Sequence, residues 1–143
     1  MNIKIDGFKQ AIEMLQGLDL AQQQSVLADI ARRDPDMAIK LKQSLVTFDD
    51  LQYITTSMMK RLLQDIELDD LGLALRGANK DLVDYLLNMF STNMRRDIED
   101  ILKGRPRSLD DVLDAQRKIM EVVIRLKDKG EIILSKEKSS KLV

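Results

Sequence analysis

Paired carboxylates are the first place to look for chemistry in this chain. Asp49/Asp50, Asp69/Asp70, Asp97/Asp100 and Asp110/Asp111 each set two acids close together, the kind of pair that general acid–base catalysis draws on. All of them fall where the local pattern reads as a turn, a helix start or a solvated helix face. There the ordinary work of a carboxylate is to accept backbone N–H groups and to offset the helix dipole. Among 143 residues there is no His and no Cys, so disulfides, thiolate nucleophiles, zinc fingers and the commonest general base are excluded together. Gly104-Arg105-Pro106 between Lys103 and Arg107 fits neither a phosphate-binding loop nor a dinucleotide fingerprint, since no strand precedes it and glycines are too few. Arg32/Arg33 and the lysines of the last residues lack neighbouring aromatics on which bases could stack. With 23 basic and 24 acidic side chains the net charge is -1, and no global field draws the chain to nucleic acid or an anionic membrane. These residues predict a binding module with no catalytic residues, no cofactor, no metal and no nucleic-acid partner.

The elements that would position such a module are helices. Leu, Ile, Met, Lys, Arg, Asp and Glu dominate, and two prolines interrupt the chain. Apolar spacing predicts a first helix over about Gly7 to Gln16, with Phe8, Ala11, Ile12 and Leu15 on one stripe, and a second from Leu20 to Arg33. Asp34-Pro35 reads as an N-cap followed by proline at the first helical position, starting a third helix that runs to about Leu45. Short helices follow over Phe48 to Ile54, Ser57 to Ile66 and Asp69 to Leu75, then longer ones over Asn79 to Met89 and Thr92 to Lys103. Ser108 caps a last helix of about twenty residues with Leu109, Val112, Ile119, Val123 and Leu126 in its apolar stripe, polar Gln116 as the exception, and Gly130 as its stop. Glu131 to Leu134 suits a short extended segment, and residues 135–143, rich in Lys and Ser, a disordered tail. The start of the chain lacks the features of a signal peptide and no run of apolar residues is long enough to span a bilayer, which predicts a cytoplasmic protein.

At an offset of 36 residues Val26/Leu62, Leu27/Leu63, Asp29/Asp65, Ile30/Ile66, Asp34/Asp70 and Ala38/Ala74 match in kind, as two copies of one helix-turn-helix unit would. Units of that kind stack in armadillo fashion, and a terminal copy exposes an apolar face. This predicts a partner for residues 7–45 through a stacking interface at Phe8, Ile12 and Leu15. The expected fold class is all-α: an armadillo-like, right-handed superhelical arrangement of short helices over residues 1–46, then a helical domain over 47–134 with a long final helix.

Between Leu62 and Leu134 the chain reads LLQDIELDDLGLALRGA, then NMF, an acidic helix, GRPRSLDDV, and QRKIMEVVIRLKDKGEIIL. This series resembles the C-terminal domain of the flagellar motor switch protein FliG. In that family a leucine-rich helix leads to an alanine-leucine-lysine/arginine-glycine-alanine turn, here Ala74 to Ala78, followed by an asparagine-methionine pair, a charged helix, a glycine-proline turn and a long helix. Upstream, Ile30 to Ala38 resembles the family's armadillo segment, and Leu45, Val46, Thr47 and Phe48 stand at its hinge, where Phe48 matches. The resemblance covers about Phe8 to Leu134. The family's N-terminal and middle domains have no counterpart, which implies a fragment or a short paralogue.

What the resemblance implies is a rotor component of the flagellar motor switch, acting in motility and chemotaxis. It would lie at the cytoplasmic side of the inner membrane in the basal body, with a ridge of unlike charges that meets the stator protein MotA for torque generation and switching. FliM and other FliG subunits are further implied partners. Carried over by position, the ridge comprises Arg76, an acidic pair on Glu99 and Asp100 or on Asp100 and Ile101, and Arg107 beside the aligned Ser108. A further family arginine falls on Asn93 or Thr92, with Arg95 and Arg96 as nearby substitutes. The alternative is a FliG-like scaffold that self-associates, or stacks on full-length FliG, through its armadillo-like segment without touching a stator. Read without the resemblance, the same charges form a solvated helix face with i,i+4 pairs Arg95–Glu99, Arg96–Asp100 and Glu99–Lys103.

Overall fold

Leu71, Gly72, Leu73, Ala74 and Leu75 are five consecutive buried residues, and a helix that is apolar on every side has to sit inside the structure. In the computed structural model of the chain this is the last part of α5, and the second half of the molecule is built around it. The structure describes residues 3–134, with side chains from Gly7 onward; the tail expected at 135–143 lies outside the described residues. The described residues are helical or irregular, without a strand. In chain order the helices are α1 (Ile3–Gln16), α2 (Leu20–Arg33), α3 (Pro35–Ser44), a 3-10 helix (Phe48–Tyr53), α4 (Thr56–Leu63), α5 (Leu68–Leu75), α6 (Lys80–Leu87), α7 (Thr92–Leu102) and α8 (Leu109–Asp128). No helix among the described residues is long and apolar enough to cross a membrane.

Cap chemistry sets most of these boundaries. Asp34 accepts the amide of Met37 with Pro35 at the first helical position, and Thr55, Asn79, Ser91 and Ser108 each accept the third amide of the helix they open. Asp19 and Gln22 form a reciprocal capping box at α2. At the far end of α8, Gly130 takes φ +78°, which brings the amides of both Glu131 and Ile132 onto the carbonyl of Leu126. Residues 131–134 are therefore used to close the helix, and no strand forms there; Ile132 and Leu134 are buried.

The chain divides into two compact units between Val46 and Thr47. In unit 1, α3 packs against both α1 and α2 around Leu15, Leu41 and Leu45, with Phe8, Ala11, Ile12, Val26, Leu27, Ile30 and Met37 half-buried against that cluster. Two amides complete it. Gln23, itself buried, donates from Nε2 to the carbonyl of Leu15 at 2.7 Å. Gln16 grips both polar groups of Val46, accepting its N–H at 2.7 Å and donating to its carbonyl at 2.9 Å.

Unit 2 packs α5 against α7 and α8, α4 against α8, and α6 against the 3-10 helix. Leu62, Leu71, Leu86, Ile98, Ile119, Val123 and Leu126 are wholly buried. Each such aliphatic side chain contributes about 1.5–3 kcal/mol by leaving water. Leu109, expected in the apolar stripe of α8, is instead the first residue of that helix and 69% exposed; the buried stripe begins at Val112. Nor does the 36-residue correspondence survive at its turn. Asp34 is the N-cap of α3, whereas Asp70 lies inside α5, whose N-cap position is Glu67, so the shared aspartate serves two different positions.

Two glycines of α5 and its exit allow the central packing. A Cβ on Gly72 would lie 2.5 Å from Cγ2 of Ile101 on α7, and one on Gly77 would lie 2.7 Å from Nε2 of Gln116 and 3.0 Å from Cγ1 of Val112 on α8. Gln116, the polar exception in the α8 stripe, donates to the carbonyl of Ala74 at 3.0 Å, adding a second donor to an acceptor at the end of α5 that also takes the amide of Gly77 at 3.2 Å.

Candidate functional site

The charged residues singled out in the sequence gather around α7. That helix buries Ile98 and half-buries Met94, Ile101 and Leu102, a stripe that turns Arg96, Asp100 and Lys103 to the opposite, solvent side. Arg95 and Glu99 flank them and pair at 3.5 Å, while Arg95 also donates to Oδ1 of Asn88 at 3.3 Å. As an exposed i,i+4 pair this contributes about 0.2–0.5 kcal/mol. The other two expected pairs, Arg96–Asp100 and Glu99–Lys103, do not form; Asp100 has no ion-pair partner among the described residues. Arg107, just ahead of α8, pairs with Asp111 at 3.2 Å.

Arg76 sits differently. It is the C-cap residue of α5, half-buried, and its guanidinium reaches the end of α7: Nε and Nη2 donate to the carbonyl of Ile101 at 3.2 and 2.6 Å, and Nη1 donates to the carbonyl of Arg105 at 2.7 Å. Ile101 is in the last turn of α7, where its carbonyl also takes the turn amide of Gly104 at 3.2 Å and the dipole favours a cation. Arg76 and Arg107 line one shallow concavity with Asp69, Leu73, Ile101 and Arg105, while Glu99 and Asp100 lie on α7 just before it. The structure thus gathers all four expected ridge residues in and around the C-terminal half of α7. Three of them present exposed or half-exposed charge, and the fourth directs its donors into the backbone.

A second charged group, missed in the sequence, joins α4 to the end of α8. Arg61 donates from Nε and Nη2 to the carboxylate of Glu131 at 3.4 and 3.3 Å and lies 3.3 Å from Asp65, which also accepts from Arg125 at 3.2 Å. The bond to Glu131 and the field of both carboxylates raise the Arg61 pKa against a smaller opposing effect of desolvation. The i,i+4 spacing of Arg61 and Asp65 is a local signal, but Glu131 lies 70 positions from Arg61 and Arg125 lies 60 from Asp65, so the rest of the group is not marked in the sequence.

In unit 1 the residues expected to stack on a partner divide. Phe8 and Ile12 are half-buried against the unit's own cluster, and Leu15 is completely buried at its centre, so Leu15 offers no surface; packing against Leu41 and Leu45 consumes it. Among the described residues of unit 1 the exposed large apolar side chains are Met14, Leu20 and Ile39, none of which the stripe pattern singled out. At the expected hinge, Leu45 and Val46 are buried in unit 1, while Thr47 and Phe48 are half-buried at the start of unit 2, where Oδ2 of buried Asp50 accepts the amide of Thr47 at 2.9 Å.

The described residues form an all-helical domain that displays unlike charges on one helix, with no cluster of metal-ligating side chains among them. The family can be named as well. Residues 28–134 match the family model of the FliG C-terminal domain, which is the greater part of the chain, and the chain belongs to that family. It is similar to the flagellar motor switch protein FliG of Bacillus subtilis, 28% identical over 131 residues, covering 91% of this chain and 39% of that protein. It is likewise similar to FliG of Helicobacter pylori, 31% identical over 136 residues, covering 94% of this chain and 40% of that protein. Among solved structures, the crystal structure of FliG residues 86–343 from H. pylori aligns with a TM-score of 0.66 at 31% identity, covering 85% of this chain and 58% of that one. The chain therefore spans about two fifths of the length of the curated relatives it matches.

Proposed function

We propose that this chain serves as a rotor-side component of a flagellar motor switch, without enzymatic activity, and that its second unit meets a MotA-type stator protein through charges carried by α7 and the loop that follows. A stepping contact has to transmit force and then release. Exposed ion pairs suit that task, since each contributes about 0–1 kcal/mol and their complementarity sets register and encounter more than affinity. Buried aromatic anchors would dissociate slowly. The observation that carries the reading is the placement of α7. Its apolar stripe and the close approach of Gly72 to Ile101 fix the helix on α5, while Asp100 and Arg96 face outward with Glu99 beside them and Arg107 at the end.

Unit 1 supports a companion role in assembly. Met14, Leu20 and Ile39 are apolar and exposed, as a segment that associates with FliM, with another FliG subunit or with a second copy would present them. The break between Val46 and Thr47 supports a hinge at Leu45 to Phe48. A site peripheral to the inner membrane at the basal body follows from the proposed partners.

The test is charge reversal with compensation in motile cells. Asp100→Lys should abolish or strongly reduce swimming, and reversal of a facing cation in the cytoplasmic loop of the stator should restore part of it. Unchanged swimming of the single variant, or no restoration by any reversed loop cation, would count against the reading.

A further inference from the structure

Four side chains that are distant in the sequence, Arg61, Asp65, Arg125 and Glu131, meet where α4 rests on the end of α8. Two pieces of the chain depend on them. The first is residues 131–134. Ile132 and Leu134 are buried while Glu131 and Ile133 are exposed, the alternation of a strip that lays one side on an apolar surface. The amides of Glu131 and Ile132 share the carbonyl of Leu126, and Ile133 and Leu134 make no backbone hydrogen bond among the described residues. Beyond that shared carbonyl, side chains hold the strip: the two buried aliphatics, and the carboxylate of Glu131 on Nε and Nη2 of Arg61 at 3.4 and 3.3 Å. The second piece is α4. At eight residues it is too short to persist alone, and it relies on the burial of Met59 and Leu62 and on the bridge from Asp65 to Arg125 at 3.2 Å.

The fastening between these two pieces is not fully satisfied. Nη1 of Arg61 is buried and lies 3.3 Å from Asp65, yet makes no hydrogen bond, which is a cost carried by the closed arrangement alone. The side chains of Arg61 and Glu131 are 29% and 41% exposed, so their attraction is within reach of screening by salt. We infer that residues 131–134 are a strap that opens and closes against α4, with Arg61 as its latch, so that ionic strength sets how firmly the end of unit 2 holds its first α-helix. Opening frees Ile132 and Leu134 and loosens α4, whereas α5 and α7 keep the close packing that Gly72 allows. It is a local event, lower in free energy than unfolding of the whole unit.

The experiment is amide hydrogen exchange on the full chain, read at Glu131 and Ile132, along α4, and along α5 as the internal control. Arg61→Met keeps most of the side-chain stem and removes the charge. It should speed exchange at Glu131, Ile132 and α4 by about fivefold, the size expected for a partly exposed ion pair, and leave α5 unchanged. Sodium chloride at about 1 M should bring Glu131 and Ile132 of the wild-type chain most of the way to the same rate and have no effect on them in Arg61→Met. Glu131→Gln should speed the strap amides by a similar factor, and in the Arg61→Met background it should add nothing, because the pair is already broken. Equal acceleration of α5 would overturn the inference, since Arg61 would then stabilise the unit as a whole. Unchanged exchange at Glu131 and Ile132, or additive effects in the double variant, would overturn it as well. If Arg61→Met does not fold, Glu131→Gln and the salt dependence of the wild-type chain still decide.

Discussion

The two units hold themselves together by different means. Unit 1 places three helices around Leu15, Leu41 and Leu45 and completes the arrangement with Gln16 and Gln23, whose amides tie side chain to backbone. Unit 2 sinks an entire helix turn, Leu71 to Leu75, between α7 and α8 and relies on the absence of side chains at Gly72 and Gly77 to bring the helices together. A small cluster with a half-buried rim can be rearranged or covered by a partner at low cost. A helix turn buried on all sides cannot move without opening the core. The difference predicts that unit 1 opens more readily than unit 2.

The largest expected effect comes from emptying the centre of the smaller unit. Leu15→Ala removes one of the three leucines at the centre of its cluster and should cost about 2–5 kcal/mol. Because the core of unit 2 does not depend on it, hydrogen exchange should show unit 1 opening while α5 and α8 stay protected. A single cooperative loss of protection in both units would break the comparison. A smaller loss is expected from adding matter to unit 2. Gly72→Ala puts a methyl group where only 2.5 Å separates it from Ile101, and overpacking of this kind costs about 1–3 kcal/mol. Trimming the opposing side chain with Ile101→Val should recover part of the loss in urea titrations. Failure of that second change to help would mean that the close approach of α5 and α7 does not limit the packing.

Much of the frame was legible in the sequence, because it is local. Asp34-Pro35 and Ser108 mark helix starts through groups three residues away, Gly130 marks a stop, and the boundaries of α2 and α8 follow from them. The placement of the candidate site was legible in part. Glu99, Asp100 and Arg107 carry exposed or half-exposed charge, as their positions on an amphipathic pattern imply. What the pattern could not contain was long-range bonding from side chain to backbone. Arg76 reaches carbonyls 25 and 29 positions away, Gln116 one that is 42 away, and Gln16 a residue 30 away. A backbone carbonyl has no residue type, so nothing in the sequence flags it as the partner. The same limit explains Leu15 and Leu109. Period identifies an apolar face, but which end of that face meets another helix is decided only when the helices pack.

The central claim is that α7 is a fixed carrier for its charges, and amide hydrogen exchange along Thr92–Leu102 in the full chain tests it most directly. The amides of Ile98, Ile101 and Leu102 should exchange nearly as slowly as those of α5, through opening of the whole unit. Exchange of those amides orders of magnitude faster than α5, with α5 itself protected, would contradict it.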